Sequence, residues 1–576
     1  MKDTILESYV KSFSEEFGLE AINLDEIFEH FVNYNLISKQ YPRNFNFEDA
    51  SVGSSNDTGI DGCAIIVNGN FVSSPEEVQE LVKRNGYLDV VFNFIQSKSS
   101  DKFKGDQVGT FLFGIKNLFE ASSSIPENDE VKNIRRIKEA LYDLSIEFNK
   151  LPEIKLFYVT TGEWKDPEQI SGRARSELNH IKIKKITSSE SIEFIDAERL
   201  KDIYRELRRR VVKEIKIEHQ TPLPEMSGVI RSFLGALPAK DFVSLLTDAD
   251  GKLQKSLFYD NVRDFQGSNK VNQEIEKTLK NKKKQVLLAL LNNGITIIAK
   301  QIEQIGTKLK ISDYQIVNGC QTSNLIFNAR NDLLPETYVP IKLIETKDQE
   351  VINEVIKATN RQTEVKSEAF ESLNPYHAEL EEYYYALAKN NPHPIFYERR
   401  SKQYQWSSDV KSFQVITLAT QLKSYVATFL KQPHSTHRYY GELLDSYRER
   451  LFIATHDPVG YYLSAMLNQR ITRLFELKKI PAGKYKFMKY QIFVIISTFY
   501  IKTTSLSGSE FIHQCNNLLK RMESLNDVKA DFIRAKEIID KALFDSKMST
   551  ENAVRSKEFT NQIISLANVG ILATVQ

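Results

Sequence analysis

Three polar side chains lie where two predicted strands begin or end. Asp61 stands between glycines just before the predicted strand 63–67. Gln96 ends an apolar run, 88–96, that predicts a central strand, and Lys98 follows two residues later. Residues i and i+2 of a strand point to the same face, so Gln96 and Lys98 share one face. If the two strands are neighbours, the three side chains meet at one edge of a sheet. The alternative is that Asp61 occupies a turn and that the other two mark a strand leaving the sheet.

This set of groups suits a hard divalent cation. The Asp61 carboxylate, the Gln96 amide oxygen and the Ser97 carbonyl are the oxygen donors that Mg²⁺, or Mn²⁺ in its place, prefers. Lys98 beside such an ion can orient or deprotonate a water, while the ion neutralises charge that develops on a phosphate. The predicted chemistry is therefore metal-dependent hydrolysis of a phosphodiester bond.

The surrounding sequence predicts the elements that position this set. The Val- and Phe-rich run 88–96 and the run 156–161 predict buried strands, with a helix from 105 to about 121 between them. Strands that alternate with helices predict a mixed or parallel α/β sheet. A further helix precedes the first strand, and its apolar stripe consists of Leu24, Ile27, Phe28 and Phe31.

The order of these motifs resembles the restriction-endonuclease-like PD-(D/E)xK superfamily, in the Gln-x-Lys variant of Mrr-type nucleases. Phe28-Glu29 is similar to the Phe-Glu signature of that branch, whose acid completes the metal site. The resemblance implies an α/β/α nuclease domain in which Glu29, Asp61, Gln96 and Lys98 are catalytic, the first three as metal ligands. Gln96 departs from the usual second acid and removes one ligand charge. Taken alone, Glu29 is also explained as one of several acids on a solvated helix.

A second group of polar residues lies in the middle of the chain. Asn293, Asn318, Gln321, Asn360 and Gln362 stand where apolar predicted elements meet loops. Such amides bind bases, phosphates or neighbouring backbone, and they predict a ligand pocket. A polar network that orders the backbone between strands is an equal alternative.

Several phrases in this region resemble the AIPR family, named for abortive infection and phage resistance. The resemblance runs from about residue 225 to beyond residue 400 and implies a role in bacterial defence against phage. Its phrases include Phe258-Tyr259-Asp260-Asn261-Val262-Arg263, Asn318-Gly319-Cys320-Gln321-Thr322 and Phe396-Tyr397-Glu398-Arg399-Arg400.

Nucleic-acid binding must come from local basic residues, since 77 Lys and Arg against 76 acids leave a net charge of +1. For each basic residue expected to contact a phosphate, the alternative is an ordinary solvated surface charge. We expect nucleic acid as the partner, DNA rather than RNA, while a homodimer and a partner protein from the same defence operon stay open. The expected phosphate contacts are Lys102, Lys104, Lys282, Lys283, Arg399 and Arg400.

Composition and missing motifs exclude several classes of protein. With 41% hydrophobic and 27% charged residues, 16 Pro and 23 Gly, the chain is not disordered throughout. Three widely separated cysteines form neither a disulfide framework nor a zinc site, and the HExxH and P-loop patterns are missing. No apolar run reaches the roughly 18 residues of a membrane helix. We expect a cytoplasmic protein without a membrane partner.

The pattern along the chain predicts three parts. These are a PD-(D/E)xK-like nuclease domain at 1–215, a central α/β domain at 225–366 and a helical region at 367–576, with a linker at 221–224. The predicted function is a Mg²⁺-dependent endonuclease in antiphage defence. The alternative is a non-catalytic nucleic-acid-binding or nucleotide-sensing defence module with a decayed nuclease fold, an alternative that Gln96 keeps open.

Overall fold

The structure is a computed structural model that describes residues 3–41, 44–53, 55–183, 186–208, 211–217, 219–248, 251–258, 270–360, 374–389, 391–399, 403–404, 407 and 409–572. The chain divides into two compact units. The first combines residues 1–37, 44–202 and 374–576, and the second combines residues 38–43 and 203–373. The two ends of the chain thus belong to one unit, and the middle forms the other.

The N-terminal part is a mixed α/β fold whose helix ends follow ordinary capping rules. The Ser74 hydroxyl accepts a hydrogen bond from the Glu77 amide, Pro75 opens the same helix, and Gly86 closes it at φ +71°. The strands are β1 Gly62–Val67, β2 Asn70–Val72, β3 Val90–Lys98, β4 Glu153–Thr160 and β5 Ser189–Ile195. The helices are α1 Thr4–Phe17, α2 Leu24–Gln40, α3 Phe47–Ala50, α4 Pro75–Asn85, α5 Gly105–Leu118, α6 Asp129–Asp143, α7 Glu168–Ile183 and α8 Ala197–Arg208.

The five strands form one sheet in the order β2-β1-β3-β4-β5. β1 is antiparallel to β3, with Gly62 opposite Ile95, whereas β3, β4 and β5 are parallel. The start of β1 and the end of β3 therefore lie at the same edge of the sheet. Every residue of β1 is buried, as expected for a strand covered on both faces. β3 ends at Lys98, two residues later than the sequence predicted, so Lys98 stands inside the strand.

The middle of the chain forms a second α/β unit around a six-stranded sheet. Its strands are β6 Val212–Lys216, β7 His219–Pro222, β8 Arg231–Pro238, β9 Ile295–Ile305, β10 Lys308–Asn318 and β11 Tyr338–Glu345. They lie in the order β6-β10-β9-β11-β8-β7. Its helices are α9 Ala239–Leu246, α10 Lys270–Lys280, α11 Lys282–Gln285, α12 Leu288–Leu291, α13 Cys320–Asn328 and α14 Gln349–Asn360.

The predicted linker at 221–224 is wrong in its first half. β7 pairs with β8 as far as Pro222, which an edge strand accepts because the missing amide hydrogen faces away from the ladder. β6, which spans the predicted boundary at residue 215, pairs with β10 in the second sheet. The second unit accordingly begins earlier in the chain than the Pro-rich segment indicated.

The C-terminal part is helical, as predicted, apart from one short parallel strand pair. Its large apolar core includes the fully buried rings of Tyr384, Tyr425 and Tyr461. The strands are β12 Phe396–Glu398 and β13 Val415–Thr417. The helices are α15 Pro375–Ala388, α16 Leu418–Thr428, α17 Tyr440–Tyr447, α18 Pro458–Glu476, α19 Lys484–Phe487, α20 Lys489–Tyr500, α21 Ser509–Met522, α22 Leu525–Ser546, α23 Thr550–Arg555 and α24 Lys557–Leu572.

Polar contacts join the C-terminal helices to the N-terminal part within the first unit. Lys486 Nζ donates to the Glu48 carbonyl at 2.8 Å, and Lys478 Nζ lies 2.6 Å from Glu26 Oε1 on α2. Further contacts join Arg473 to the Phe17 carbonyl, Lys423 to Glu77, Arg555 to Glu76 and Arg136 to Glu551. The C-terminal helices thereby brace the helix that carries Glu29.

Within the described ranges, none of the helices combines the length and the apolar character needed to cross a bilayer.

Candidate active site

The sheet brings Asp61 and the end of β3 together, as the sequence predicted. Asp61 is 6% exposed, and its Oδ2 accepts hydrogen bonds from the Ser97 amide at 2.7 Å and the Ser97 hydroxyl at 3.3 Å. Lys98 Nζ lies 3.4 Å from the same oxygen. These contacts occupy Oδ2 and leave Oδ1 without a hydrogen bond from any described residue. Oδ1 is the oxygen available to a cation.

Gln96 lies beside this pair with an unsatisfied oxygen. Its side chain is 4% exposed, and Oε1 has no hydrogen-bond partner in the described part of the chain. A Cβ at Gly59 would stand 3.3 Å from Gln96 Nε2, and Gly59 adopts φ +77°, so a larger residue there would be both crowded and strained. A buried amide oxygen without a donor is costly unless a ligand or water satisfies it.

Glu29, on α2, lies near enough to Asp61 and Lys98 for their charges to act on its carboxylate. Its carboxylate lies against Gly53, where any Cβ would collide with Oε1. One turn later on the same face of α2, Asn33 Nδ2 donates to the Asp61 carbonyl at 3.1 Å. Asn33 packs directly on Gly62, which has no room for a Cβ. Two side chains of α2 therefore pack directly on glycines, one at the start of β1 and one in the segment before it.

The electrostatics of the site are those of acids crowded in a poorly solvated space. Burial, followed by the charge of Asp61, raises the pKa of Glu29 to about 8, although Lys98 opposes the rise. Burial also raises the pKa of Asp61, against the lowering effects of Lys98 and the Ser97 amide. A cation bound near the Glu29 and Asp61 carboxyl groups would offset the repulsion between their negative charges.

The donor set fits a hard divalent cation. The Asp61 and Glu29 carboxylates and the orphaned Gln96 oxygen are all oxygen donors. In an extended strand the carbonyl of a residue points to the same side as its amide, so the Ser97 carbonyl faces the Asp61 side of β3. No three His, Cys, Asp or Glu side chains group into a metal centre among the described residues. The predicted donor set, two carboxylates (Glu29 through the resemblance) with neutral oxygens, stays a prediction.

The residues predicted to contact phosphates have different surroundings. Lys102 and Lys104 are exposed in the loop that follows β3, so they lie at the end of the sheet where Asp61 and Lys98 meet. Lys282 and Lys283 are exposed on α11 in the second unit. Arg399 Nε donates to Glu381 at 2.9 Å and the Arg399 side chain is 15% exposed, so little of it is left for a phosphate. Arg400 lies outside the described residues.

The central amides are occupied by internal hydrogen bonds where the structure describes them. Asn318 Nδ2 donates to the Thr359 carbonyl, and Gln321 Oε1 accepts from Asn272 at 2.8 Å. These bonds match the alternative of an ordering network, and the ligand pocket stays a prediction. Asn293 is exposed before β9, the side chain of Asn360 is not described, and Gln362 lies outside the described residues.

Two groups of the site were missed from the sequence. Asn33 stands four residues after Glu29, a spacing that places both on one helix face and that could have been used. The Ser97 amide, a backbone donor to Asp61, leaves no signal in the residue type.

Comparison with known proteins identifies one family. Neither the curated proteins nor the solved structures give a match to the chain. The family model described as AIPR protein matches residues 258–550, just over half of the 576 residues. The match spans the larger part of the second unit and most of the C-terminal helices. The chain thus belongs to the AIPR family, as its central phrases indicated, and this membership implies a role in antiphage defence.

Proposed function

We propose that the N-terminal part is a metal-dependent nuclease of the PD-(D/E)xK type that hydrolyses phosphodiester bonds, of DNA rather than RNA, in antiphage defence. The observation that carries the proposal is the meeting of Asp61, Gln96, Lys98 and Glu29 at one edge of a sheet in which β1 runs antiparallel to β3. These residues are separated by up to 69 positions in the chain, and the fold gathers them where two strands end.

Each residue has a distinct role in this proposal. Asp61 Oδ1, Glu29 and the Gln96 oxygen would hold Mg²⁺ or Mn²⁺, which when bound neutralises charge on the reacting phosphate. The Ser97 amide fixes the Asp61 carboxylate through Oδ2. Lys98, which forms an ion pair with Asp61, orients the attacking water, and its positive charge stabilises the reacting phosphate. Lys102 and Lys104 bind flanking phosphates independently of sequence.

The test is cleavage of plasmid, linear duplex, single-stranded DNA and RNA with Mg²⁺ or Mn²⁺. We expect Asp61→Asn and Lys98→Ala to lower cleavage at least about a hundredfold, because each removes a group acting on the reacting phosphate. The matched controls are Asp129→Asn and Lys132→Ala, an exposed ion pair of the same unit with N and O 3.7 Å apart. Cleavage that survives both site variants refutes the assignment.

The competing function is a non-catalytic defence module that binds nucleic acid or senses nucleotides. It is favoured by Gln96 in place of an acid and by the lack of a three-acid centre among the described residues. Calorimetry with Mg²⁺ and Mn²⁺, in the presence of uncleaved nucleic acid, separates the two. Metal binding that Asp61→Asn abolishes supports the nuclease, and nucleic-acid binding without such a metal site supports the module.

A further inference from the structure

An exposed ridge at residues 282–291 of the second unit combines lysines with aliphatic side chains. Leu290 is 83% exposed, Leu291 58%, Leu287 46% and Val286 45%. Lys282, Lys283 and Lys284 come directly before them and form no ion pair with a described residue. Contiguous exposed aliphatic groups on a soluble surface mark a contact site for something apolar.

The ridge is held rigidly, so its exposure is not that of a frayed segment. The buried Gln285 side chain donates to the carbonyls of Leu279 and Asp332 and accepts from the Leu334 amide and the Thr337 hydroxyl. Leu288 is 1% exposed and belongs to the core of the second unit. Two inward anchors therefore present the lysines and the four aliphatic side chains outward.

The residue types of the ridge indicate what kind of surface it binds. Protein interfaces are enriched in aromatic residues, Met and Arg and are poor in Lys, whereas the ridge has three lysines and none of the enriched types. Phosphate contacts alone would need the lysines but not the exposed leucines. Residues 270–291 contain six lysines and two glutamates, a charge that complements an anionic surface.

We propose that the 282–291 ridge binds the surface of an anionic lipid bilayer. The aliphatic side chains enter the boundary between headgroups and acyl chains, and the lysines contact lipid phosphates and carboxylates. This is peripheral binding and needs no spanning helix. The sequence-based expectation of no membrane partner considered only spanning segments. The proposal is independent of the nuclease assignment.

The test is sedimentation of the full chain with vesicles of phosphatidylcholine, alone or with about one-third phosphatidylserine. We expect binding to the anionic vesicles only, weakened by salt. Replacing Leu290 and Leu291 together by Ser is expected to weaken binding roughly a hundredfold, as is replacing the three lysines by Gln. Ile305→Ser is the matched control, since Ile305 is 81% exposed at the end of β9. It should leave binding unchanged.

Three outcomes overturn the proposal. The first is no binding to anionic vesicles by the wild-type chain. The second is binding that the two Ser substitutions leave unchanged, which would show that the charge of the lysines alone carries the binding. The third is a chain that ignores vesicles but self-associates until Leu290 and Leu291 are replaced, which would make the ridge an interface between copies. Thermal melting of each variant verifies folding, and the lysine variant tests the proposal without touching the aliphatic groups.

Discussion

Gln96→Glu is the substitution that tests the proposed metal site most directly. It introduces the second acid that the proposed PD-(D/E)xK assignment lacks in this chain, at a position that is 4% exposed and close to Asp61. Without metal, a new carboxylate here is buried beside two acids whose pKa values are already raised. With metal, the same carboxylate becomes an additional charged ligand. The variant should therefore be less stable than wild type without metal and gain more stability from metal.

The size of both effects can be worked out. A rise of two to three pH units in the pKa of a buried carboxyl corresponds to about 3–4 kcal/mol lost when the group is forced to ionise. The sign follows from the raised folded pKa: at pH 5 the unfolded carboxyl, with an ordinary pKa of about 4.3, is largely ionised while the folded one is protonated, so about 1 kcal/mol of the loss is already present. The loss grows to its full size as pH rises through the folded pKa. The first unit has about 400 residues, so 1 kcal/mol shifts its melting temperature by about 1 °C, and the melting temperature at pH 8 should fall by about 3–5 °C. Metal at a hundredfold over its Kd returns about 2.7 kcal/mol.

The assay is thermal melting at pH 5 and pH 8, with and without Mg²⁺. The matched control is Asn93→Asp on the same strand, where the side chain is 1% exposed and Oδ1 also lacks a described partner. Asn93 is three residues before Gln96 and so points to the opposite face of β3. It should be destabilised to a similar extent but not rescued by Mg²⁺. Equal rescue of both variants, or of neither, would refute the reasoning.

Three further predictions concern the site and its support. Metal binding should release a proton from Glu29 at neutral pH, because a pKa of about 8 keeps its carboxyl protonated. The affinity for the metal should therefore rise with pH until about pH 8 and then level. Calorimetry in buffers of different ionisation enthalpy measures both the proton release and the affinity. Gly62→Ala forces a Cβ against Asn33 and should lower the free energy of unfolding by about 1–3 kcal/mol, measured by denaturant titration. Lys486→Met removes the lysine 3.4 Å from the Glu48 carboxylate and leaves it only the His30 ring at 3.8 Å, so it should lower stability at pH 7 by about 2–4 kcal/mol in the same measurement.

Each of these predictions has a control in the chain. Glu29→Gln should abolish the proton release, and release that persists in this variant would contradict the assignment. Gly172→Ala is matched to the change at Gly62, because nothing lies within 4 Å of its added Cβ and the helical position favours Ala. Lys132→Met removes a lysine that is 59% exposed and should have little effect. Losses equal to those of the controls would contradict the packing and ion-pair arguments.

The position of the site was predictable because its signal is local. Asp61, Gln96 and Lys98 are polar residues at the ends of apolar strands, and the alternation of strands and helices places such ends at one edge. Glu29 was found only through the resemblance, since a single acid on a helix has no distinguishing pattern. Asn33 and the Ser97 amide act through backbone geometry, which residue types alone do not encode.

The long-range organisation was not predictable in the same way. The segment 219–222 has the composition of a linker, and only its place at the sheet edge makes it a strand. The union of the chain's two ends depends on contacts such as that of Lys486 with Glu48, 438 positions apart. Pairings at this distance leave no periodicity in the sequence. The central amides show the same limit, since ligand binding and internal bonding use the same residue types.

The construction of the first unit from both ends of the chain has a consequence for biosynthesis. The N-terminal sheet leaves the ribosome before the segment 478–486, in which Lys478 and Lys486 contact the N-terminal part. At roughly 5–20 residues per second, about 15–60 seconds separate the synthesis of the end of β5 from that of Lys486. During that interval α2 has no contact with the helices that brace it in the finished protein. A growing chain that has not yet reached Lys486, or a chain truncated before it, therefore lacks the braced form of the site.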